Sequence, residues 1–530
     1  MRLPAAISAL VLTATVVTMP AASAAPAPAS ASGVNWIDCD DGFQCGTVDV
    51  PLDYARPAGA RLELAVIRLP ASDPAHRIGS LLTNPGGPGG SGVDFVRFAS
   101  DLFDPAVRAR FDIVGIDNRG IARSAPVRCF DNTADQLGFW SGNPYFFPVG
   151  GTQARQTAVR ARAYTRACGE RNPALLPYLS TQNAARDLDR VRAAVGDQRT
   201  TYVGFSYGTY LGAVYANLFP QRVRAMVLSG VVDPVLQASA SLAELASAGA
   251  AAEDGLTALA NACATAGPAR CPLAAPGRTG AAIRAGLDRL FRRLRVAPLP
   301  ARNAEPPGEV TVQQAVDTTL VALYDQGNYP VLADALAHAG AGDGSALLAL
   351  ARLAGVADPP TDTPYDNYPE AFHSYQCADG NLPRDQRVWP VAAAAQDRVS
   401  PVFGRRWLYR GLACATWPAR PARYTGPWNR RTAAPVLIVN GLHDPATSMA
   451  EARHLHAVLG RSALLAVDDL GHATFGNTSR CAAAAIDRYL LAGALPAPGT
   501  TCRADHGPFD QPTAAGRAAP AGITGPLAAR

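Results

Sequence analysis

The sequence predicts an α/β protein: a mostly parallel sheet with helices on both faces, interrupted by an inserted helical segment. Between Val34 and Pro234, short apolar runs bounded by turn residues alternate with helical patterns, which is typical of a parallel sheet with crossover helices. Alanine-rich helical segments broken by prolines follow, and strand-like runs return after Ala434. One sheet domain with a helical insertion explains this order better than two domains in series.

Several runs carry the pattern of the predicted strands. Residues 62–69 alternate apolar and polar side chains, as expected for a half-buried strand. The others are short and mainly apolar, which predicts strands buried on both faces of the sheet. They are residues 80–83, 111–116, 201–203, 225–229, 434–440 and 463–467. A helical pattern from Asn183 to Val195 has Ser180 or Thr181 as its expected N-cap.

The composition indicates a large folded protein without a nucleic-acid partner. Of the 530 residues, 48% are hydrophobic and 17% are charged, so the chain can bury a large core. The net charge of +5 is spread without a basic stripe or an aromatic–basic cluster. No nucleic acid is therefore expected as a partner.

The N-terminus has the pattern of a cleaved signal peptide. Arg2 precedes an uncharged apolar segment over about residues 5–19, and the small residues 22–24 follow. This segment is shorter than the ~20 residues that a membrane-spanning helix needs, which favours cleavage over anchoring. We therefore expect a secreted, extracellular protein with no stable membrane anchoring. The predicted segments are a signal peptide (1–24), a flexible leader (25–33), the first part of the sheet domain (34–235), the helical insertion (236–425), the second part of the sheet domain (426–502) and a disordered tail (503–530).

The cysteines agree with export. There are ten, an even number, which predicts disulfides in an exported chain. The expected local pairs, as a hypothesis, are Cys39 with Cys45, Cys129 with Cys168, Cys263 with Cys271, Cys377 with Cys414, and Cys481 with Cys502. No Cys-x-x-Cys spacing occurs and the eight histidines do not cluster, so neither a metal site nor a cofactor is predicted.

The motif Gly-Phe-Ser-Tyr-Gly is the first indication of a catalytic residue. Its serine, Ser206, lies between the predicted strand 201–203 and a helical pattern. A serine at such a sharp turn presents its hydroxyl above the sheet, and Gly204 and Gly208 must then be small because the helix passes close to the strand. The alternative interpretation is an ordinary glycine-rich turn.

A serine nucleophile needs a base, which in turn needs an orienting carboxylate, in the chain order serine, acid, histidine. His472 follows the strand 463–467 in a loop, at the edge of the sheet where ligands bind, and is the predicted base. The other late histidines have different expected places: His443 beside the candidate acid, His454 and His456 in a helical pattern, and His506 in the tail.

The acid has one favoured candidate and three alternatives. Asp444 directly follows the strand 434–440, which brings it to the same edge as Ser206 and His472. Asp233 follows the preceding strand, and Asp468 and Asp469 lie beside the histidine.

Stabilisation of the oxyanion requires backbone N–H donors. The amide of Tyr207, the residue after the nucleophile, is one candidate. The loop "TNPGGPGGSG", residues 83–92, follows an early strand and is expected to provide the other. A phosphate-binding loop is the competing interpretation, but no Gly-Lys-Ser/Thr follows.

The motifs together resemble a known family. "NPGGPGGSG", "DIVGIDNRGIARS", "YVGFSYGTYLG", "VNGLHDPAT" and "GHAT" are similar to those of the α/β-hydrolase peptidases grouped with prolyl iminopeptidase, and most similar to the secreted tripeptidyl-aminopeptidase branch with its TAP-like C-terminal region. The likeness runs from about Trp36 to Cys502, with the motifs in the family's order. It implies an α/β-hydrolase fold, catalysis by Ser206, Asp444 and His472, and a helical cap over the site.

The resemblance implies further residues. It assigns the oxyanion hole to the amides of Gly87 and Tyr207, although the prolyl-iminopeptidase branch usually has histidine at the position of Pro85. An exopeptidase must also bind a free α-amino group. The segment "SYQCADG" resembles one typical of this branch, which makes Asp379 the candidate, with a solvated loop acid as the alternative.

The predicted function is that of a secreted serine exopeptidase that releases short peptides, expected to be tripeptides, from free N-termini through an acyl-enzyme. Activity should be lost at acid pH when His472 is protonated. Two alternatives remain: a secreted carboxylesterase or lipase with the same triad, and a binding protein on an inactive hydrolase scaffold. The oligomeric state is not predicted.

Overall fold

A computed structural model describes residues 33–99, 102–140, 145–475 and 477–510. The predicted signal peptide, the leader up to residue 32 and residues 511–530 of the predicted tail lie outside the described residues. The tail was expected to be disordered from residue 503, but Arg503 lies in a strand and Phe509 is buried in an apolar core. Twelve strands occur within these ranges. They are β1 (Ile37–Asp38), β2 (Gln44–Pro51), β3 (Arg61–Leu69), β4 (Gly79–Asn84), β5 (Phe111–Ile116), β6 (Thr200–Phe205), β7 (Val223–Ser229), β8 (Leu299–Ala301), β9 (Gly308–Val310), β10 (Val436–His443), β11 (Ser462–Leu470) and β12 (Thr501–Arg503).

Ten of the described strands form one sheet in the order β1-β2-β3-β5-β4-β6-β7-β10-β11-β12. The strands β1, β2 and β3 pair antiparallel, and β3 also pairs antiparallel with β5. All pairings from β5 to β12 are parallel. The expected mostly parallel sheet is therefore confirmed, and each predicted strand is part of it.

Helices alternate with these strands and fill the interval between β7 and β10. They are α1 (Gly92–Ala99), α2 (Pro105–Arg110), α3 (Thr133–Trp140), α4 (Gly150–Arg171), α5 (Thr181–Ala194), α6 (Tyr207–Leu218), α7 (Pro234–Ser239), α8 (Ser241–Ala266), α9 (Gly280–Leu294), α10 (Val312–Leu323), α11 (Tyr329–Ala341), α12 (Ser345–Leu353), α13 (Tyr368–Asp379), α14 (Val388–Gln396), α15 (Gly404–Arg410), α16 (Met449–Val458) and α17 (Arg480–Ala492). The helix α5 has the expected N-cap, because the side chain of Ser180 accepts from the amide of Asn183.

Helices cover both faces of the sheet. Successive side chains of a strand point to opposite faces, so each central strand contributes to two apolar clusters. In β7, Met226 and Leu228 pack in one apolar cluster with side chains of α5, α6 and α16. Ala225 and Val227 of the same strand pack in another cluster with α1, α2 and α17. This two-sided burial explains why the central strands are continuous apolar runs.

The helices between β7 and β10 have an apolar core of their own, and α4 contributes to it with Ala154 and Ala161. These helices, called the helical layer below, thus come from two segments of the chain: the predicted insertion, and the segment between β5 and β6 that contains α3 and α4. The helical layer also contains a short antiparallel hairpin, β8 with β9, where no strand was expected. Strands of three residues are too short to leave a periodic pattern in the sequence.

All five predicted disulfides are present. They join Cys39 to Cys45, Cys129 to Cys168, Cys263 to Cys271, Cys377 to Cys414, and Cys481 to Cys502. None of the helices within the described ranges combines the length and the apolar character needed to cross a bilayer.

Candidate active site

Ser206 occupies the sharp turn that the sequence predicts. It stands between the end of β6 and the start of α6, with φ 53° and ψ −124°. A positive φ is strained for a residue with a Cβ atom, and such strain is concentrated at functional sites. The amide of Ser206 donates to the carbonyl oxygen of Ser229 at the end of β7, which anchors the turn to the neighbouring strand.

The two glycines of the motif are required by close contacts. A Cβ atom on Gly204 would lie 2.4 Å from the carbonyl oxygen of Gly208, and one on Gly208 would lie 2.6 Å from the carbonyl oxygen of Asn84. Gly86, with φ 94°, packs against the turn as well, since a Cβ atom there would lie 2.4 Å from the carbonyl oxygen of Phe205. The glycine-rich loop therefore lies directly against the serine turn.

His472 and Asp444 form a buried pair at the carboxyl ends of β11 and β10. The Nδ1 atom of His472 lies 2.8 Å from Oδ1 and 2.9 Å from Oδ2 of Asp444. The other ring nitrogen, Nε2, is buried and has no hydrogen-bond partner among the described residues. The imidazole is thus oriented from one side, and its second nitrogen is left to act on a substrate or a nucleophile.

The carboxylate of Asp444 is held by four donors in addition to the imidazole. Oδ1 accepts from the amides of Ala446 (2.9 Å) and Thr447 (2.8 Å). Oδ2 accepts from the hydroxyl of Thr447 (3.0 Å) and the amide of Ala473 (3.1 Å). These contacts fix both oxygens, which lets the carboxylate orient His472.

The alternative acids have other partners. Asp233 caps α7 through the amides of Val235 and Leu236 and contacts His454. The side chain of Asp468 is about half exposed and lies 3.9 Å from Arg503. Asp469 accepts from the hydroxyls of Thr474 and Thr478, and burial raises its pKa to about 6. Of the four candidates, the structure brings Asp444 to the histidine.

Ser206 and His472 line one cavity of about 140 Å³. Gly87 and Tyr207, the residues whose amides are expected to stabilise the oxyanion, line the same cavity. Its remaining wall comes largely from the helical layer, including Glu244, Leu320, Tyr324, Phe372 and Arg410. The helices therefore cover the carboxyl ends of the strands and enclose the site.

Asp379 lies outside this cavity. It is 1% exposed and does not line the cavity. Its carboxylate accepts from the amide and the hydroxyl of Thr181, and burial raises its pKa to about 7. The hydroxyl of Thr181 also contacts the hydroxyl of Tyr207. Asp379 is thus linked to Tyr207, the residue after the serine, through the hydroxyl of Thr181, and it lies outside the cavity that Ser206 and His472 line.

Glu244 is the carboxylate that sequence reasoning missed. It lies in the first turn of α8 and lines the cavity together with Ser206 and His472. Burial raises its pKa from 4.5 to about 7, while the positive charge of Arg410 acts in the opposite direction. No local signal separated it from Glu253 and Asp254, the other acids of the alanine-rich helix α8.

A strained serine after a central strand, with a histidine–aspartate pair at the ends of two later strands, defines a serine hydrolase of the α/β-hydrolase fold. Comparisons with known proteins agree. Residues 79–259 match the family model described as "alpha/beta hydrolase fold", and residues 400–502 match "TAP-like protein".

Curated relatives cover nearly the whole chain. A tripeptidyl aminopeptidase of Streptomyces coelicolor is 32% identical over 91% of this chain and 88% of its own. The serine protease Hip1 of Mycobacterium tuberculosis is 32% identical over 88% of this chain and 91% of its own. A carboxylesterase B of the same species is 33% identical over 90% and 91%. The chain belongs to this family, the tripeptidyl-aminopeptidase-like serine hydrolases of the α/β-hydrolase fold.

Proposed function

We propose that the protein is a secreted aminopeptidase that releases short peptides, namely tripeptides, from free N-termini. The observation that carries the proposal is the unpartnered Nε2 atom of His472, which belongs to a cavity shared with Ser206 and the carboxylate of Glu244. The serine and the histidine provide acyl transfer, and an enclosed carboxylate provides a partner for an ammonium group. The relatives named tripeptidyl aminopeptidase support the tripeptide length.

In the proposed mechanism, Ser206 Oγ attacks the carbonyl carbon of the scissile peptide bond and its proton moves to Nε2 of His472. The amides of Gly87 and Tyr207 donate to the resulting oxyanion. Collapse of the intermediate breaks the C–N bond, and the leaving amine takes the proton from His472. Water then attacks the ester carbonyl carbon and gives its proton to the same nitrogen. The bond to Ser206 Oγ breaks, the released peptide carries the new carboxylate, and the proton returns to Oγ. Asp444 orients the imidazole and stabilises its positive charge.

Glu244 takes the role that the sequence suggested for Asp379. An exopeptidase of this kind must distinguish a charged N-terminus from the middle of a chain. Glu244 lines the cavity with Ser206 and His472, whereas Asp379 lies outside the cavity and its carboxylate accepts from Thr181. We therefore assign the recognition of the α-amino group to Glu244.

Export is part of the proposal. The five disulfides support it, because disulfides form and persist in oxidising compartments. The signal peptide predicted over residues 1–24 is the segment that would direct export.

An esterase is the second candidate, because the same triad cleaves esters and one relative bears the name carboxylesterase B. The test compares alanyl p-nitroanilides of one, two and three residues, each with a free and an acetylated N-terminus, with a p-nitrophenyl ester. We expect the free tripeptidyl substrate to be cleaved at least about tenfold faster than its acetylated form and than the shorter substrates. Equal rates on free and acetylated peptides would contradict the aminopeptidase, and cleavage of the ester alone would establish the esterase.

Two variants complete the experiment. Ser206→Ala should abolish cleavage of every substrate. Glu244→Gln should remove the preference for the free N-terminus while keeping ester hydrolysis measurable, which separates recognition from chemistry.

A further inference from the structure

A second, larger cavity adjoins the catalytic one. Its volume is about 560 Å³, and its walls come mainly from α3, α10, α13, α15 and the segment that follows α12. Ligand pockets have typical volumes of ~300–1,000 Å³, so the catalytic cavity of about 140 Å³ is below this range and the second cavity falls within it. The catalytic cavity alone is thus small for a peptide, and the second cavity is the adjoining space of ligand size.

Five residues line both cavities and form the passage between them. They are Val321, Tyr368, Phe372, Arg406 and Arg410. Three are apolar or aromatic, and two are cations on the short helix α15. The charges of the passage are therefore positive, although most of its wall is apolar.

Arg410 differs from the other arginines of its helix. Arg405 pairs with Asp397, and Arg406 pairs with Asp317 at 2.7 Å. Within the part of the chain that the structure describes, Arg410 has no carboxylate oxygen within 4.0 Å. Its guanidinium instead lies 3.6 Å from the centroid of the Phe372 ring and 5.1 Å from that of Trp407, and it interacts with the side chain of Tyr368.

An enclosed cation without an anion is unfavourable, because burial removes hydration and the aromatic contact replaces only part of it. Arg406, the second cation of the passage, adds repulsion. Burial, and after it the charge of Arg406, lower the pKa of Arg410, yet a guanidinium keeps its proton in proteins. Glu244, across the cavity, is the opposite charge that acts on Arg410, but the two do not form an ion pair.

We propose that Arg410 binds a carboxylate of the substrate in the passage between the two cavities. The planar guanidinium suits a carboxylate because it donates two parallel hydrogen bonds. With Glu244 on the ammonium group, the enclosed site would bind a peptide through charges of both signs. This inference rests on the proposed peptidase function. The carboxylate has two possible sources, an acidic side chain near the scissile bond or the C-terminus of a short peptide.

The first experiment measures kcat/KM of the full-length protein on matched substrates. One arm uses tripeptidyl p-nitroanilides with Glu or Gln at each of the three positions, and the other uses alanine hexapeptides that end in a carboxylate or a carboxamide. We expect at least one acidic substrate to exceed its neutral counterpart tenfold or more, and the arm in which this occurs identifies the source. Equal values in both arms would overturn the proposal.

The second experiment changes the guanidinium. In Arg410→Gln the acidic-to-neutral ratio should fall to about one, and Arg410→Lys should keep part of it because the charge remains. Arg387→Gln, which alters an exposed arginine that lines neither cavity, should leave the ratio unchanged. A preference that persists in Arg410→Gln, or an equal loss on acidic and neutral substrates, would contradict carboxylate binding.

A binding measurement separates this inference from the proposed function. Calorimetric titration of Ser206→Ala requires no turnover. One pair of ligands is Glu- and Gln-containing tripeptide amides, and the other is alanine hexapeptides that end in a carboxylate or a carboxamide. Tighter binding of the acidic peptides that disappears in Ser206→Ala/Arg410→Gln would support the carboxylate site even if no peptide bond is cleaved. Equal affinities within both pairs would overturn it. Thermal unfolding and fluorophosphonate labelling of Ser206 in Arg410→Gln establish that the variant is folded and that its triad is intact.

Discussion

The carbonyl oxygen of Tyr324, just after α10 in the helical layer, accepts a hydrogen bond of 2.8 Å from the backbone amide of His472. The two rings are also in contact, with centroids 4.8 Å apart. Asp325 forms a β-bridge with Gly471 next to this contact. The helical layer therefore does more than enclose the cavity, because it holds the loop that carries the histidine.

The first prediction concerns this contact. Tyr324→Ala keeps the backbone hydrogen bond but removes the ring that packs on the imidazole, so His472 should lose part of its orientation. We expect kcat for a small p-nitrophenyl ester to fall by about tenfold, since a misplaced base weakens general-base catalysis. Tyr324→Phe retains the ring and should retain most of the activity. An Ala variant as active as the wild type would show that the ring has no role in positioning.

The second prediction identifies the acid. Asp444→Asn leaves the shape of the site intact but favours the wrong tautomer of His472, and kcat should fall by about 10⁴. Asp468→Asn is the matched control, because Asp468 is half exposed and does not contact the histidine. Both variants should show the wild-type melting temperature within a few degrees. Comparable losses in the two variants would mean that the pairing of His472 with Asp444 is not the catalytic one.

The central strands and the serine, histidine and aspartate could be predicted from the sequence for physical reasons. Strands buried on both faces are continuous apolar runs, and the carboxyl ends of parallel strands meet at one edge, so β6, β10 and β11 determine where Ser206 and the Asp444–His472 pair lie. The five disulfides could be predicted as well, because each joins two cysteines that follow one another along the chain.

Other features depend on contacts that no local pattern records. The strand β2 alternates exposed and buried residues only from Thr47 to Val50, a run too short to stand out in the sequence, and α3 and α4 join the helical layer only through tertiary packing. Glu244 and Asp379 have similar acidic side chains, yet only Glu244 reaches the cavity. Which of two acids faces a ligand is decided by the packing of the helices around it, which the sequence does not reveal.

The third prediction is a pH dependence caused by Glu244. Burial places its pKa at about 7. The ionised form binds the substrate ammonium group, so recognition is present above pH 7 and is lost as the pH falls below it. The ratio of kcat/KM for a free-amine tripeptidyl p-nitroanilide to that for an uncharged ester should fall by about fourfold between pH 8 and pH 6. The change is smaller than that in the ionisation of Glu244, because the α-amino group of the substrate, with a pKa of about 7.7–8.0, is partly deprotonated at pH 8. Taking the ratio cancels effects of pH on the acyl-transfer step that act on both substrates alike.

Glu244→Gln provides the control for this profile. The variant has no ionisable group at this position, so its ratio should be low and should not change between pH 6 and pH 8. A wild-type ratio that is independent of pH, or a variant ratio that follows the wild type, would assign the amine site to another group.

The last prediction concerns stability. Glu451 on α16 accepts from the hydroxyl of Ser247 (2.6 Å) and the amide of Asp233 (3.1 Å), and burial, with the nearby charge of Glu244, raises its pKa from 4.5 to about 8. The folded state therefore keeps a proton that the unfolded chain releases near pH 4.5. The free energy of unfolding falls as the pH rises from 4.5 to 8 and then levels off.

Glu451→Gln replaces this carboxyl by a neutral group of the same shape. We expect its melting temperature to match the wild type near pH 5 and to exceed it at pH 8.5, corresponding to a gain of about 1–3 kcal/mol. Glu309 is exposed, so the melting temperature of the control Glu309→Gln should differ from that of the wild type by the same amount at both pH values. The same difference between Glu451→Gln and the wild type at both pH values would mean that Glu451 is already ionised in the folded protein at pH 5. Its ionisation would then not lower the free energy of unfolding between pH 5 and pH 8.5.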